Sequence, residues 1–342
     1  MLDRSKPAAK GYSLIEILDR SIRIYRQNFA AFIGLAALVQ IPLVVVTDLL
    51  LQPTTQKLQS LGLTGNPTSL TVDQAQTVLS SVVGLYAMIF LAALVSALVQ
   101  GALIYAPIVY VASENHLGRA LSLREAFVEV GKRWQELLGG LTSFYVLLIG
   151  MVLALALGLF LCGLGFGLIL YVSLALGILL VPVLVLERNS LGMTLRRSWL
   201  LGKSRIWVLL AAAIGLTVIA FVIDLVMQQV LTSLFAHSTG VGVEIITAVF
   251  GSLGSILIVS LLPITYTELY YDIRVRFEGL DIALKAVQVP NPTPADVPTP
   301  IATRFMTNED YLNVALFAIG TLVSLLVLSL AISALIGPQL AF

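Results

Sequence analysis

Residues 13–29 read SLIEILDRSIRIYRQNF, and their pattern decides how the rest of the chain is interpreted. On a helical wheel, large apolar residues form one stripe at i, i+4 and i+7 spacing, and charged residues lie opposite. The stripe comprises Leu14, Leu18, Ile22, Tyr25 and Phe29, and the opposite face comprises Glu16, Asp19, Arg20, Arg23 and Arg26. A helix of this kind suits a membrane interface, and this one leads directly into an apolar run. We therefore expect an interfacial helix here, followed by a membrane span.

The composition is that of an integral membrane protein. The chain is 58% hydrophobic and only 11% charged, with a mean hydropathy of +0.97, whereas charged residues make up about a quarter of soluble domains. The 20 basic and 19 acidic residues nearly cancel, so no nucleic-acid partner is expected. A single cysteine, Cys162, excludes intrachain disulfides and cysteine-based metal sites. The first dozen residues carry no apolar signal sequence, so we expect the N-terminus to be retained.

Apolar runs long enough to cross a membrane predict seven spans. The uncharged stretch 137–186 would rise roughly 75 Å as one helix, so it must fold back, and the predicted turn is Cys162–Gly165. The predicted spans lie at about 30–51, 78–112, two within 137–186, 208–235, 243–266 and 311–336.

The amphipathic pattern of residues 13–29 recurs twice, each time before a pair of spans. The second copy begins at 122 as SLREAFVEVGKRWQELL, and the third begins at 190 as SLGMTLRRSWLLGKSRIW. In the third, Leu191, Leu195, Trp199 and Ile206 are expected on one side and Arg196, Arg197 and Lys203 largely on the other. The second span of each pair carries Pro107, Pro182 or Pro263 near its inner end.

These patterns predict an all-α integral membrane protein. Its core is a six-span bundle made of three repeats of an interfacial amphipathic helix plus a helical hairpin, with a seventh, C-terminal span. The repeats cover about 13–115, 122–188 and 190–276. A cytoplasmic tail at 1–12 precedes the membrane domain at 13–282, and a Pro-rich linker at 283–310 tethers the span at 311–337.

The distribution of basic residues predicts the orientation. If loops alternate between the two sides, Lys57 alone of the 20 basic residues lies on one side, which leaves 19 on the other. The side rich in Lys and Arg faces the cytoplasm. We therefore expect a cytoplasmic N-terminus and an outer C-terminus.

Polar residues inside the spans are candidate functional groups. Gln40 and Gln100 are predicted at mid-depth, where they either form a structural interhelical hydrogen bond or line a path. Asp48 and Asp224 are predicted near the outer boundary, as interfacial carboxylates in water or, for Asp224 with Gln228, as part of an outward-facing polar cavity.

Basic residues of the amphipathic copies and of the sixth span are predicted to form a cationic collar on the cytoplasmic side. The collar either sets the topology alone or binds anionic lipid headgroups or an acidic partner. Its members are Arg20, Arg23, Arg26, Arg196, Arg197, Lys203, Arg205, Arg274 and Arg276.

No catalytic or metal-binding set is visible in the sequence. The two histidines, His116 and His237, are predicted on opposite sides of the membrane, and no nucleophile with a nearby base is found. We therefore expect a protein that is not an enzyme and that uses no cofactor.

Three stretches carry a resemblance to a known family. SLIEILDRSIRIYRQNF, LRRSWLLGKSRIW and ELYYDIRVRFEGLDI resemble the opening, middle and closing motifs of the bacterial glycerophosphoryl diester phosphodiesterase membrane domain proteins. The motifs bracket residues 13–282. The phosphodiesterase barrel of larger relatives has no counterpart here, so the resemblance implies a six-span module of the bacterial cytoplasmic membrane and no enzymatic activity.

Two functions remain open on this sequence. The first is a non-enzymatic multi-pass membrane module that organises anionic lipid or a partner protein, the partner being bound through the C-terminal span. The alternative is a transporter or permease subunit with a polar path between the repeats, since repeats and proline-broken spans are typical of transporters.

Overall fold

A computed structural model describes residues 12–60, 72–156, 162–235, 253–298 and 306–336, together with the single positions 242, 247, 250 and 251. Every regular element in these ranges is helical, and no strand occurs among them. Seven helices are long and apolar enough to cross a membrane. The predicted all-α class and the predicted number of membrane-length helices are therefore confirmed.

The helices are numbered here in chain order, and two of them are joined by a π-helical turn. Their bounds are α1 Leu14–Gln27, α2 Phe29–Ser60, α3 Val72–Gln100, the π turn Gly101–Tyr105, α4 Ala106–His116, α5 Leu123–Gly131, α6 Trp134–Ala156, α7 Cys162–Leu186, α8 Leu191–Ser204, α9 Ile206–Phe235, α10 Leu253–Glu278, α11 Leu280–Ala286, the short 3-10 turn Pro294–Asp296 and α12 Asn308–Ile336.

Two of the short amphipathic helices begin with the same pair of capping hydrogen bonds. The backbone N–H of Ser13 donates to Glu16 at 2.6 Å, and the Glu16 N–H donates to the Ser13 hydroxyl at 3.3 Å. Ser122 and Glu125 make the same pair of bonds at the start of α5, at 2.9 and 3.3 Å. Each pair is a capping box that satisfies N–H groups at the helix start. The Ser122 bonds also lower the pKa of Glu125.

The third amphipathic helix, α8, begins differently. Its N-cap residue is Ser190, which makes no side-chain capping bond. Glutamate at the third helical position is what completes a capping box, and α8 has Met193 there. The third copy thus departs from the first two at its first turn.

The predicted turn at Cys162–Gly165 is wrong, because α7 begins at Cys162 and continues to Leu186. Residues 157–161, where α6 and α7 are joined, lie outside the described part. Glycines suggested a turn, but an apolar run of this length in a membrane is stabilised as helix because helical hydrogen bonds satisfy every backbone group.

The spans that contain prolines also extend further than the sequence predicted. The second span continues through the π turn as far as His116, and the sixth reaches Glu278. Pro182 and Pro263 lie inside α7 and α10. These helices therefore carry their prolines within the helix and end on charged or polar turns beyond them.

Contacts divide the chain into two compact units. Unit 1 comprises Met1–Arg20, Gly131–Ala213 and Thr265–Phe342, and unit 2 comprises Ser21–Val130 and Ile214–Ile264. These boundaries do not follow the predicted repeats, since the unit boundaries fall inside α1, α9 and α10. Each unit has its own buried interior.

Unit 1 is built around α7, against which α6, α8 and α12 pack. Tyr171 of α7 contacts Trp199 of α8 and Phe317 of α12 edge-on, with ring centroids 5.6 Å apart in both pairs. A methyl group on Gly167 would overlap the backbone of Ala318, so α7 and α12 touch there. The description of the seventh span as tethered is therefore wrong.

The interior of unit 2 is formed by α1, α2, α4, the π turn and the described start of α10. Phe32 is fully buried, and its carbonyl accepts a hydrogen bond from the Ser260 hydroxyl at 3.4 Å. The Tyr25 hydroxyl donates to the carbonyl of Leu257 at 3.2 Å. Burial raises the pKa of Tyr25 to about 12, so this hydroxyl stays protonated and remains a donor at neutral pH.

Candidate functional site

Glu187, just beyond the end of α7, is the centre of a buried ionic cluster in unit 1. Its carboxylate accepts a hydrogen bond from Arg197 Nε at 2.9 Å and from the Tyr270 hydroxyl at 3.0 Å. Asn189 Nδ2 donates to it at 3.0 Å, and Arg274 Nη1 lies 3.4 Å away. The side chains of Glu187 and Arg274 are fully buried. A carboxylate so deeply buried is tolerated because each oxygen has a donor.

Glu278 completes the cluster from the last turn of α10. It accepts a hydrogen bond from Arg274 Nε at 2.9 Å and forms an ion pair with Arg197 Nη2. We call Glu187, Arg197, Tyr270, Arg274 and Glu278 the Glu187 cluster. Burial acts to lower the pKa of Arg197, but the hydrogen bond to Glu278 and the charges of the two carboxylates outweigh it, so the pKa is raised. The two arginines and two glutamates balance in charge.

Asp272 is the centre of a second group, which fixes the N-terminal segment. It forms an ion pair with Arg205, and its Oδ1 accepts from Arg276 Nε at 3.0 Å and from the backbone N–H of Tyr12 at 2.8 Å. Arg276 Nη2 also donates to the Tyr12 carbonyl at 2.7 Å. The Arg20 guanidinium stacks on the Tyr12 ring, 4.2 Å from its centroid. The start of α1 is thereby attached to α10.

Asp310 is the centre of a third group, which attaches α12. It accepts from Lys203 Nζ at 2.7 Å and from the Tyr171 hydroxyl at 2.8 Å. It also caps its own helix, since the Thr307 N–H donates to it at 2.6 Å. One carboxylate therefore joins α7, α8 and α12 of unit 1.

The cationic collar requires a correction. Arg197 is only 4% exposed, so its predicted place on a polar outer face is wrong. Arg197 is buried because two carboxylates, Glu278 of α10 and Glu187 just beyond α7, are close enough to pair with it. Six of the nine predicted collar residues form ion pairs inside unit 1: Arg20 with Glu268 at 3.8 Å, Arg197 and Arg274 with Glu187 and Glu278, Lys203 with Asp310, and Arg205 and Arg276 with Asp272.

The other three predicted collar residues are Arg23, Arg26 and Arg196. Arg23 and Arg26 are exposed on α1, and Arg196 on α8 is half-buried. The predicted collar residues therefore differ widely in burial, from fully buried Arg274 to exposed Arg23 and Arg26.

The predicted polar residues of the spans lie in unit 2. Gln40 and Gln100 are half-buried, and the buried Oε1 of Gln40 accepts no hydrogen bond from the described residues. The predicted bond between the two amides is therefore not made through this oxygen. Asp224 lies against Gly254 of α10, whereas the side chain of Gln228 is exposed. The predicted grouping of Asp224 with Gln228 gains no support.

Sequence analysis missed the acidic members of the ionic groups. The segment ELYYDIRVRFE carries a signal for two of them, because Asp272 with Arg276, and Arg274 with Glu278, are opposite charges four residues apart on one helix. Pairing along α10 shows that its arginines are not free to form a collar.

The chain matches no protein-family model, no curated protein and no solved structure.

Proposed function

We propose that this protein is a non-enzymatic multi-pass membrane module that binds anionic lipid headgroups through the exposed bases of α1. The observation that carries the proposal is that the side chains of Arg23 and Arg26 are exposed. Only Asn28 separates α1 from the membrane-length helix α2. These two guanidinium groups therefore lie within a turn or two of the membrane boundary.

The surroundings of these two bases support a membrane interface. Ile22 of α1 is 45% exposed and lies one helical turn before Arg26, and Phe29, the first residue of α2, is 47% exposed. The face of α1 that packs on the protein is a different one, marked by buried Ile24 and Tyr25. An exposed face of apolar and basic residues suits the boundary between headgroups and acyl chains.

The finer architecture belongs to the same proposal. We place the protein in the bacterial cytoplasmic membrane with its N-terminus inside, as the basic residues indicate. The shared capping boxes of α1 and α5 support the repeat, and the three quoted motifs alone support the resemblance to the glycerophosphoryl diester phosphodiesterase membrane domain family. A partner protein bound through α12 would have to use the face of that helix that does not contact α7.

Lipid retention tests the proposed function. Each exposed base near anionic lipid contributes about 1 kcal/mol, so replacing both should weaken binding roughly 30-fold. We expect Arg23→Gln with Arg26→Gln to lose most of the phosphatidylglycerol that copurifies with the protein, as counted by native mass spectrometry. Raising the salt concentration should weaken wild-type retention in the same direction.

Two control variants make this result specific. Arg23→Lys with Arg26→Lys keeps both charges and should keep the lipid, and Lys57→Gln, on the predicted opposite side, should change nothing. If the double glutamine variant retains as many anionic lipids as wild type, α1 is not the lipid site.

Single cysteines test the orientation. In a background that lacks Cys162, cysteines at Thr64 and Ser238 should react in intact cells with a membrane-impermeant thiol reagent, because both loops are predicted outside. A cysteine at Ala295, in the 3-10 turn, should react only after the cells are opened. Labelling of the Ala295 cysteine in intact cells would reverse the proposed topology.

A further inference from the structure

Gln40 and Gln100, the polar residues predicted at mid-depth, each lie one helical turn from a residue of the same buried cluster in unit 2. Ala36 of α2 and Ile104 of the π turn belong to the same buried cluster, and α2 contacts that turn. Gln40 is one helical turn after Ala36, and Gln100 is one turn before Ile104. Because successive spans run in opposite directions, the two amides are displaced from the cluster to the same side.

Gln40 has an unmet hydrogen-bonding requirement at this level. Its Oε1 is buried and accepts no hydrogen bond from any described residue. Few buried polar atoms in proteins lack a partner, and the hydrocarbon core of a membrane supplies none. A donor other than the described residues is therefore needed beside Gln40.

The second span, which contacts α2, is irregular next to Gln100. Directly after Gln100, α3 passes into the π turn, in which the Ala106 N–H donates to the Gly101 carbonyl five residues back. Pro107 follows and lacks an N–H, so the regular helical ladder is interrupted there. Such turns occur frequently at functional sites, and irregular backbone at membrane depth is tolerated where it lines a cavity that holds water.

We propose that Gln40, Gln100 and the π turn form a mid-membrane site that binds a neutral hydrogen-bond donor, namely water. The ligand is neutral because the sequence carries no Asp, Glu, Lys or Arg at 29–47 or 76–113, so a charged group would find no counter-ion in either span. Water donates to the Gln40 carbonyl oxygen and also reaches the backbone groups displaced by the π turn. This site is independent of lipid binding by α1, and a hydrated site at this depth is what the transporter alternative requires.

Cysteine reactivity tests for this water. A thiol reacts as the thiolate, which forms only where water stabilises the charge. In a background that lacks Cys162, Gln40→Cys and Gln100→Cys are treated with methyl methanethiosulfonate, a small neutral reagent that enters membranes. Leu38→Cys is the matched control, because Leu38 lies on the same helix as Gln40 and its side chain is 73% exposed.

We expect both glutamine-derived cysteines to react at least about tenfold faster than the Leu38 cysteine, which corresponds to one unit of thiol pKa. Using both positions guards against a variant that fails to fold, and size-exclusion chromatography of each variant verifies that it remains intact. If either folded variant reacts as slowly as Leu38→Cys, the site is dry and the proposal is wrong. Lipid retention by α1 is unaffected by either result.

Discussion

Replacing Glu187 by Gln should lower the free energy of unfolding by about 3–5 kcal/mol, the range measured when one partner of a buried ion pair is removed. Glu187 is the carboxylate shared by Arg197 and Arg274, and its side chain is fully buried. Glutamine has the same shape but no charge, so both guanidinium groups would depend on Glu278 alone. Unfolding of the purified protein in mixed micelles, titrated with sodium dodecyl sulfate, measures this loss.

Glu136→Gln is the matched control. Glu136 also pairs with an arginine, Arg133, but its side chain is 56% exposed. Exposed pairs contribute at most about 1 kcal/mol, so this variant should unfold close to wild type. Equal losses in the two variants would mean that the Glu187 cluster is accessible to water and does not hold unit 1 together.

The helical class and the seven membrane-length helices were predictable because they follow from local chemistry. About 20 apolar residues without charge have one stable form in a membrane, and sequence shows such runs directly. The position of α12 was not predictable in this way. Its docking on α7 depends on the absence of a side chain at Gly167 opposite Ala318, and on Asp310 meeting Lys203, and these contacts join residues distant in the chain.

The candidate site was predicted less well, because a helical wheel shows which residues share a face but not what covers that face. Arg196 and Arg197 are neighbours and both appeared basic and outward, yet only Arg197 is buried against carboxylates. The wheel of α1 had the same weakness. Tyr25 of the predicted apolar stripe is buried in the protein, whereas Ile22 of the same stripe is 45% exposed, and Ile17, outside the stripe, is fully buried. Packing against distant helices decides between such faces.

The second large effect on stability also arises where a glycine lets two helices approach closely. Gly202 lies in the last turn of α8, where its Cα touches the backbone of α7, and a methyl group there would overlap the carbonyl of Ala175. Backbone cannot move aside as a flexible side chain does. Gly202→Ala should therefore destabilise the protein by about 1–3 kcal/mol or more, the cost of overpacking a close contact.

Replacing another glycine of α8 by alanine should stabilise the protein instead of destabilising it. Gly192 has nothing within 4 Å of the place where a methyl group would go, so Gly192→Ala should stabilise the helix by up to about 1 kcal/mol, the difference in helix propensity between the two residues. Both variants are compared by the same detergent titration. Since Lys203 follows Gly202 directly and holds Asp310, the destabilised variant should also expose the start of α12 to protease. If Gly202→Ala matches Gly192→Ala in stability and in protease resistance, α8 does not approach α7 as closely as described, and the attachment of the seventh span through Lys203 loses its basis.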